Sequence, residues 1–432
     1  MKVVWLCYYS LHYLKEDIDT QIESSFFHPA TWMHYLDSEI QSRQGIDLHL
    51  ITISPAVDKD YVIRKNNVTY YIIKNSIKRF AQHLPLHIFQ SAYHFFEPYV
   101  INTFLKHKVM KIIDEIKPDV VNLHGTEGEF GTILNDIKFP SVIWVQGLMT
   151  QVVKIDKNLK YKFRLKSEEE LLKQQKNFIT IAGSMENLIS DYNPGANYFN
   201  LFHPNSEQVF EIKKLNPEKN ADIVFVGQIV KRKGVSDFVE VVKILKKDFP
   251  SIKAKIIGYG GGIYKQVILE KIKSCGLSEN INFVGFLPDY EDVLMEVKKS
   301  RLFVLPTMVD TGPRSVAESM TIGVPVVSYN IGGLPSMIND KVSGRLVEPG
   351  NVVMLSEVIS ELLSNPEKLN QYAGEAYKFA EKSFRASKVV DELLRIYSTI
   401  SSDKNQIVRS KKLTMYNLFS LLELSELLAA HI

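Results

Sequence analysis

Two cysteines in 432 residues, Cys7 and Cys275, are too few for a disulfide framework. Both stand in or beside apolar, strand-like runs, so a reducing compartment is expected. No sign of charge dominates: the formal net charge is +3 at pH 7. That excludes the strongly basic field on which electrostatic nucleic-acid binding depends. Apolar runs of about eighteen residues are missing, so no stretch reads as a membrane-spanning helix. The opening "KVVWLC" is too short for a secretory signal core, and polar residues follow it. Short repeats and low-complexity tracts are absent too. No intact Gly-x-Gly-x-x-Gly follows a strand, which argues against a dinucleotide oxidoreductase. The expectation is a cytoplasmic protein with no nucleic-acid partner and with peripheral contact to the inner face of a membrane left open.

What is present fits a soluble globular chain of two or three domains: 45% hydrophobic and 23% charged residues. Strand-like and helix-like segments alternate, which predicts an α/β fold with parallel sheets covered on both faces. In the first half "KVVWLCYY", 46–54, 67–74, "DVVNLHG", "SVIWVQG" and 177–184 read as strands, and 100–118 as a helix ending before Pro118. Residues 205–221 are polar and charged and read as a linker. A second alternating series follows. The expected organisation is an N-terminal Rossmann-like domain at 1–204, a linker at 205–221, a C-terminal Rossmann-like domain at 222–382 and C-terminal helices at 383–432. Two doubly wound domains facing each other enclose a cleft, with ligands beyond the carboxyl ends of the strands.

Four loops of the second series stand in those positions. In "VGQIVKRKG" Gly227 ends a strand, and Gln228, Lys231, Arg232 and Lys233 follow before Gly234. Cations beside a helix N-terminus suit a phosphate; a solvated basic turn is the bland alternative. In "IIGYGGG" Gly258 and Gly260 would let backbone approach a ligand, or simply form a turn. In "VDTGPRSVAE" seven residues separate Asp310 from Glu318. Gly312 permits close approach, Pro313 suits a helix start, and the N–H groups of Arg314 and Ser315 would point out of the helix end. Glu318, one turn in, could accept both hydroxyls of a ribose. Taken alone, this loop reads as well as a capped helix with two favourable acids. "NIGGLPSMI" supplies the fourth loop. Their shared order describes one cleft lined for a nucleoside diphosphate carrying a sugar.

With these pieces in that order, the C-terminal half resembles retaining GT-B glycosyltransferases of the family 4 type. The matching stretches are "VFVGQIVKRKG", "AKIIGYGGG", "INFVGFLPDYEDV", "LFVLPTMVDTGPRSVAESMTIGVPVVSYNIGGLPSMI" and "SGRLVEPGN". The resemblance implies a transferase that moves a hexose-type sugar from a nucleotide sugar to a glycan or a polyprenyl-diphosphate-linked glycan, as in surface-polysaccharide assembly. It implies no cofactor and no metal. It gives Lys233 the departing diphosphate, Glu318 the ribose and Asp310 the donor sugar, with the Gly312–Ser315 backbone holding sugar or phosphate oxygens. It also places Gly227, Gln228, Arg232, Gly258 and Gly260 around the donor.

Three positions depart from that pattern. Asp310 stands where the family has glutamate, one methylene longer. Gln228 stands where an arginine is usual, with Arg232 nearby to compensate. Gln146 stands where a histidine is frequent, and it cannot titrate near neutrality. His124 is a separate candidate catalytic residue and reads equally as a satisfied structural histidine. The alternatives are a nucleotide-sugar epimerase of the same fold and an inactive partner subunit. On the acceptor side, 23–36 offers His28, Trp32 and His34, with the aromatics reading more readily as core. Residues 76–111 mix aromatic and basic side chains as an interfacial surface or a helical pair would. "TMYNLFSLLELSELLAAHI" reads as a further amphipathic helix.

Overall fold

The computed structural model describes residues 1–19, 31–76, 102–126, 129–134, 136–150, 159–181 and 183–403. Its first sheet has eight strands: β1 (Lys2–Leu6), β2 (Asp47–Ser54), β3 (Tyr61–Lys65), β4 (Val68–Lys74), β5 (Val120–His124), β6 (Ser141–Trp144), β7 (Asn177–Thr180) and β8 (Asn197–Asn200). Their order is β3-β4-β2-β1-β5-β6-β7-β8, parallel throughout except for the antiparallel β3–β4 pair. Central strands such as β5, β6 and β7 are buried at every residue. Helices cover both faces of such strands, so the sequence reads as unbroken apolar runs rather than alternation. On β1, Val3 and Trp5 enter one core layer and Val4 and Leu6 the other, as the two-residue period requires.

The second sheet comprises β9 (Ala221–Val226), β10 (Ala254–Ile257), β11 (Ile281–Gly285), β12 (Ser300–Leu305), β13 (Val326–Tyr329) and β14 (Gly344–Val347). All are parallel, in the order β11-β10-β9-β12-β13-β14. This is the doubly wound arrangement, with its switch point between β9 and β12. The corresponding reversal in the first sheet lies between β1 and β5. The loops after β9, β12, β1 and β5 are therefore the ones the topology exposes for ligand.

Residues 205–221, expected as a linker, contain a helix, Glu207–Ile212. Its Val209 and Ile212 belong to the core of the second sheet. The polar majority of the stretch concealed the few apolar side chains that anchor it. The chain passes between the halves twice at one place. Asn205 N–H donates to Phe384 O at 2.7 Å, Asn205 bridges to Arg385, and Asn205 Nδ2 donates to Thr321 Oγ1 at 2.8 Å. Beyond it, the helix Ala386–Ser402 returns to the first sheet. Val389, Val390, Leu393, Ile396, Tyr397 and Ile400 enter the same layer as Val3 and Trp5, at the spacing of one helical face. The Tyr397 hydroxyl accepts from Trp5 Nε1 at 2.8 Å and from Asn122 Nδ2 at 2.7 Å. Most of 76–111, His28 with the start of 23–36, and the terminal stretch 414–432 lie outside the described residues.

Candidate active site

The loop after β9 winds into a short 3-10 turn, Lys231–Lys233, closed by Gly234 in the left-handed conformation before the helix Val235–Leu245. Arg232 donates to Gln228 Oε1 at 2.8 Å. The glutamine that stands in place of a cation thus orients the next cation along. Arg232 O accepts from Met308 N–H at 2.8 Å, which ties this loop to the one after β12. The Lys233 ammonium reaches across that junction and pairs with the Asp310 carboxylate. Their side chains are 17% and 11% exposed, so the pair is sheltered yet open to a ligand.

The acid-bearing loop rests on the Gly-Gly loop after β13. A Cβ on Gly332 would lie 1.7 Å from Asp310 O, and one on Gly333 1.8 Å from Thr311 O. Only glycine allows the loops to approach that closely, and Gly332 also has a positive φ of 57°. Gly258 and Gly260 play the same part. The nearest atoms to a Cβ there would be Gly227 O at 1.9 Å and Ile229 Cβ at 2.3 Å. Their lack of a side chain admits the neighbouring loop at these two positions. Pro313 caps the helix Arg314–Thr321 rather than opening its first turn. Asp310 Oδ1 also accepts from Gly312 N–H at 3.4 Å.

Glu318 is buried on that helix and accepts from Arg314 Nη2 at 3.0 Å, one turn away. The Tyr290 phenol lies beside both groups. Burial, then the charge of Glu318, holds that phenol well above its ordinary range. Ser315 sits partly exposed in the first turn.

The first half closes over these loops. Thr311 Oγ1 donates to Gln146 O at 2.5 Å, and Ser184 Oγ to Gly332 O at 2.8 Å. Arg314 Nη1 donates to Pro204 O at 3.3 Å, and its guanidinium lies 5.8 Å from the Tyr35 ring centroid. A small pocket lined by Ile181, His203, Asn205, Gly312 and Arg314 opens between the halves. The structure thus brings Lys233, Asp310, Gly312, Arg314, Glu318 and Gln146 together, Gln146 through its carbonyl.

His124 stands in a buried aromatic box. Its ring centroid is 4.8 Å from Trp5, 5.5 Å from Trp144 and 5.7 Å from Trp32. Asn122 Nδ2 approaches its Nε2 at 3.0 Å. Burial, reinforced by His203, holds its pKa well below the usual imidazole value. His203 stacks on Trp32 at 4.3 Å, and burial, then the Arg314 charge, pushes its pKa down to about 3. Trp32 is therefore core. His34, beside it on the helix Thr31–Gln41, faces the buried Asp37 at 3.3 Å.

Sequence reasoning missed Glu168. It is 2% exposed, takes the Thr126 hydroxyl on one oxygen and Met149 N–H on the other at 2.8 Å. It thereby ties the loop after β5 to the loop that carries Gln146. Its surroundings, "KSEEE", read as a solvated face, and no signal in the sequence singles it out. Among the described residues, no group of three or more His, Cys, Asp or Glu side chains is arranged to hold a metal ion. None of the described helices is long and apolar enough to cross a membrane.

Residues 206–379 match the family model for glycosyl transferases group 1. An uncharacterized glycosyltransferase of Haemophilus influenzae is 25% identical over 197 residues, 45% of this chain and 54% of that protein. The O-antigen chain mannosyltransferase C of Escherichia coli is 29% identical over 153 residues, 35% of this chain and 41% of that one. The chain therefore spans about half the length, or less, of these curated relatives. Among solved structures, sucrose-phosphate synthase from Thermosynechococcus elongatus superposes with a TM-score of 0.72 at 14% identity. That likeness covers 93% of this chain and 99% of the other, so both sheets are shared. The chain has the two-domain GT-B fold, and its residues 206–379 are similar to the group 1 glycosyl transferases.

Proposed function

We propose that this protein transfers a sugar from a nucleoside diphosphate to a glycan or lipid-linked glycan, with retention of anomeric configuration. The observation that carries the reading is convergence at one switch point. Lys233 after β9, Asp310 after β12 and Glu318 on the helix Arg314–Thr321 share one junction beneath the first half. The diphosphate would take Lys233 from Asp310, with Arg232 and the helix N-terminus adding positive potential. Asp310, freed, would turn to the sugar hydroxyls, and Glu318 would accept from the ribose. Lys233 would stabilise the charge that grows on the departing diphosphate. That oxygen, on the same face as the acceptor, would take the acceptor's proton. The acceptor would enter from the loops after β1, β5 and β6, with Gln146 beside it.

The relative whose printed name concerns an O-antigen chain supports a surface-polysaccharide acceptor. The aromatic and basic stretch 76–111 supports an acceptor presented at a membrane surface, and flotation with anionic liposomes at low and high salt tests that part. The reaction is tested by incubating the protein with UDP-, GDP-, ADP- and TDP-sugars and scoring binding and slow hydrolysis. Product analysis with donor alone separates transfer from epimerisation. No response to any nucleoside diphosphate would favour an inactive partner subunit instead.

A further inference from the structure

Asp37 is a fully buried carboxylate on the helix Thr31–Gln41, and no lysine or arginine among the described residues pairs with it. Its Oδ2 accepts from the hydroxyls of Tyr9, at 3.0 Å, and Tyr70. Its Oδ1 faces His34 Nδ1 at 3.3 Å. The Tyr9 hydroxyl oxygen also lies 3.1 Å from that Nδ1. Because Tyr9 spends its proton on Asp37, it can only accept from the imidazole. Nδ1 therefore carries the hydrogen, and the neutral ring keeps its lone pair on Nε2. The Tyr13 ring stacks on the imidazole, 3.8 Å between centroids and 13° from parallel. One edge and one face of His34 are thus fixed, while its side chain stays 33% exposed. Among the described residues, Nε2 has near it only the hydroxyl of the exposed Ser38, at 3.4 Å. We propose that His34, held in place by Asp37 and Tyr13, forms a subsite for an uncharged sugar ring of the acceptor, with Nε2 accepting from one of its hydroxyls.

Place and chemistry both point to that ligand. Tyr13 and His34 follow β1, at the reversal of the first sheet where ligand is expected. The next residue on the helix, Tyr35, faces the Arg314 guanidinium of the second half, and the Arg314 charge also acts on the Tyr13 phenol. The subsite therefore borders the helix that carries Glu318. A neutral imidazole nitrogen without hydrogen can only accept, so its ligand must bring a hydroxyl or an N–H. The helix Thr31–Gln41 bears Asp37 and Glu39 and no lysine or arginine, and Arg314 is engaged by Glu318. An anionic headgroup would meet acids there without a free cation. A hydrocarbon chain would leave Nε2 without a donor. A sugar ring offers both parts of what the site can use: hydroxyl hydrogens for Nε2, and C–H groups for the exposed edge of the stacked pair. Because the imidazole is already oriented, little side-chain order is lost on binding.

The inference rests on the reading of this protein as a sugar transferase, and it names the acceptor group that touches the first half. The test measures nucleoside diphosphate release from saturating UDP-, GDP-, ADP- and TDP-sugars against increasing methyl hexosides, methyl N-acetylhexosaminides and hexose phosphates. On wild type a methyl glycoside should accelerate release saturably, and the phosphorylated sugars should not. His34→Ala should raise the half-saturating glycoside concentration about tenfold or more, with the maximal rate changed less. Added imidazole should lower that concentration in His34→Ala and leave wild type unchanged, which a merely structural role would not do. Tyr13→Ala should raise it as well, and Tyr13→Phe, which keeps the ring, should stay within about threefold of wild type. A wild-type half-saturating concentration in His34→Ala overturns the subsite, as does acceleration by the phosphorylated sugars alone. Release by wild type that no methyl glycoside accelerates overturns it too. No release from any donor, with or without glycoside, defeats the functional reading itself.

Discussion

Asp310 and Lys233 pair with each other, and this sets what each substitution should do. Asp310→Asn removes the competitor for Lys233. Affinity for a free nucleoside diphosphate should then rise several-fold, on the scale of about 1 kcal/mol for a partly exposed pair. Turnover of the nucleotide sugar should fall in the same variant, because a neutral amide with one acceptor oxygen would face the sugar in place of the charged carboxylate. Calorimetry beside a rate assay separates the two effects. Had Asp310 been a simple capping residue, the first would not appear. His203 and His124 carry a different prediction. Both are held neutral in the folded chain, His203 down to about 3. The unfolded chain binds protons at these sites below about pH 6.5, where the folded chain does not, so stability is complete above that pH and declines as pH falls. By pH 5.5 each histidine should remove about 1 kcal/mol. Carboxylates with depressed values, such as Glu296, lose their contribution at lower pH. Urea denaturation at pH 7.5 and 5.5 measures the difference, and His203→Gln should remove about half of it.

At the scale of elements, the loops after β6 and β12 meet through one hydroxyl, Thr311 to Gln146 O. Thr311→Val keeps the shape and removes the donor, leaving a carbonyl under-satisfied at the junction. It should lower acceptor-dependent turnover, and Thr311→Ser should restore it. Equal rates in both variants would show that the contact does not position the site. The buried Glu168 holds the same region from below, and Glu168→Ala should strand the Thr126 hydroxyl and Met149 N–H. A loss of about 2–3 kcal/mol is expected from thermal or chemical unfolding. These elements also show what the sequence could and could not disclose. The central strands were legible because burial on both faces writes itself as unbroken apolar runs. β3 and β8 were not: both are edge strands, and "YVIRK" and "NYFN" carry mixed faces. The helix Leu159–Gln174 was hidden by its charges, although Leu171 and Leu172 are fully buried.

At the scale of the molecule, the two doubly wound sheets were readable from alternation, and the loops that meet at the second sheet's switch point from their position after strands. Partners across the cleft were not readable. Thr311 with Gln146, Ser184 with Gly332 and Arg314 with Tyr35 are far apart in sequence, and no local pattern encodes them. The return of the helix Ala386–Ser402 to the first sheet makes the fold a closed circuit. Removing its Tyr397 hydroxyl should therefore destabilise the N-terminal half, where Trp5 Nε1 would lose its acceptor. The central claim is that the switch point beneath the closed cleft activates a nucleotide sugar. It is tested most directly by nucleoside diphosphate release from a panel of UDP-, GDP-, ADP- and TDP-sugars, comparing wild type with Lys233→Ala. Release by wild type from one donor, slowed on the order of 10²–10³-fold in the variant, is the expected result. Equal release by both proteins, or none from any donor by wild type, would contradict it.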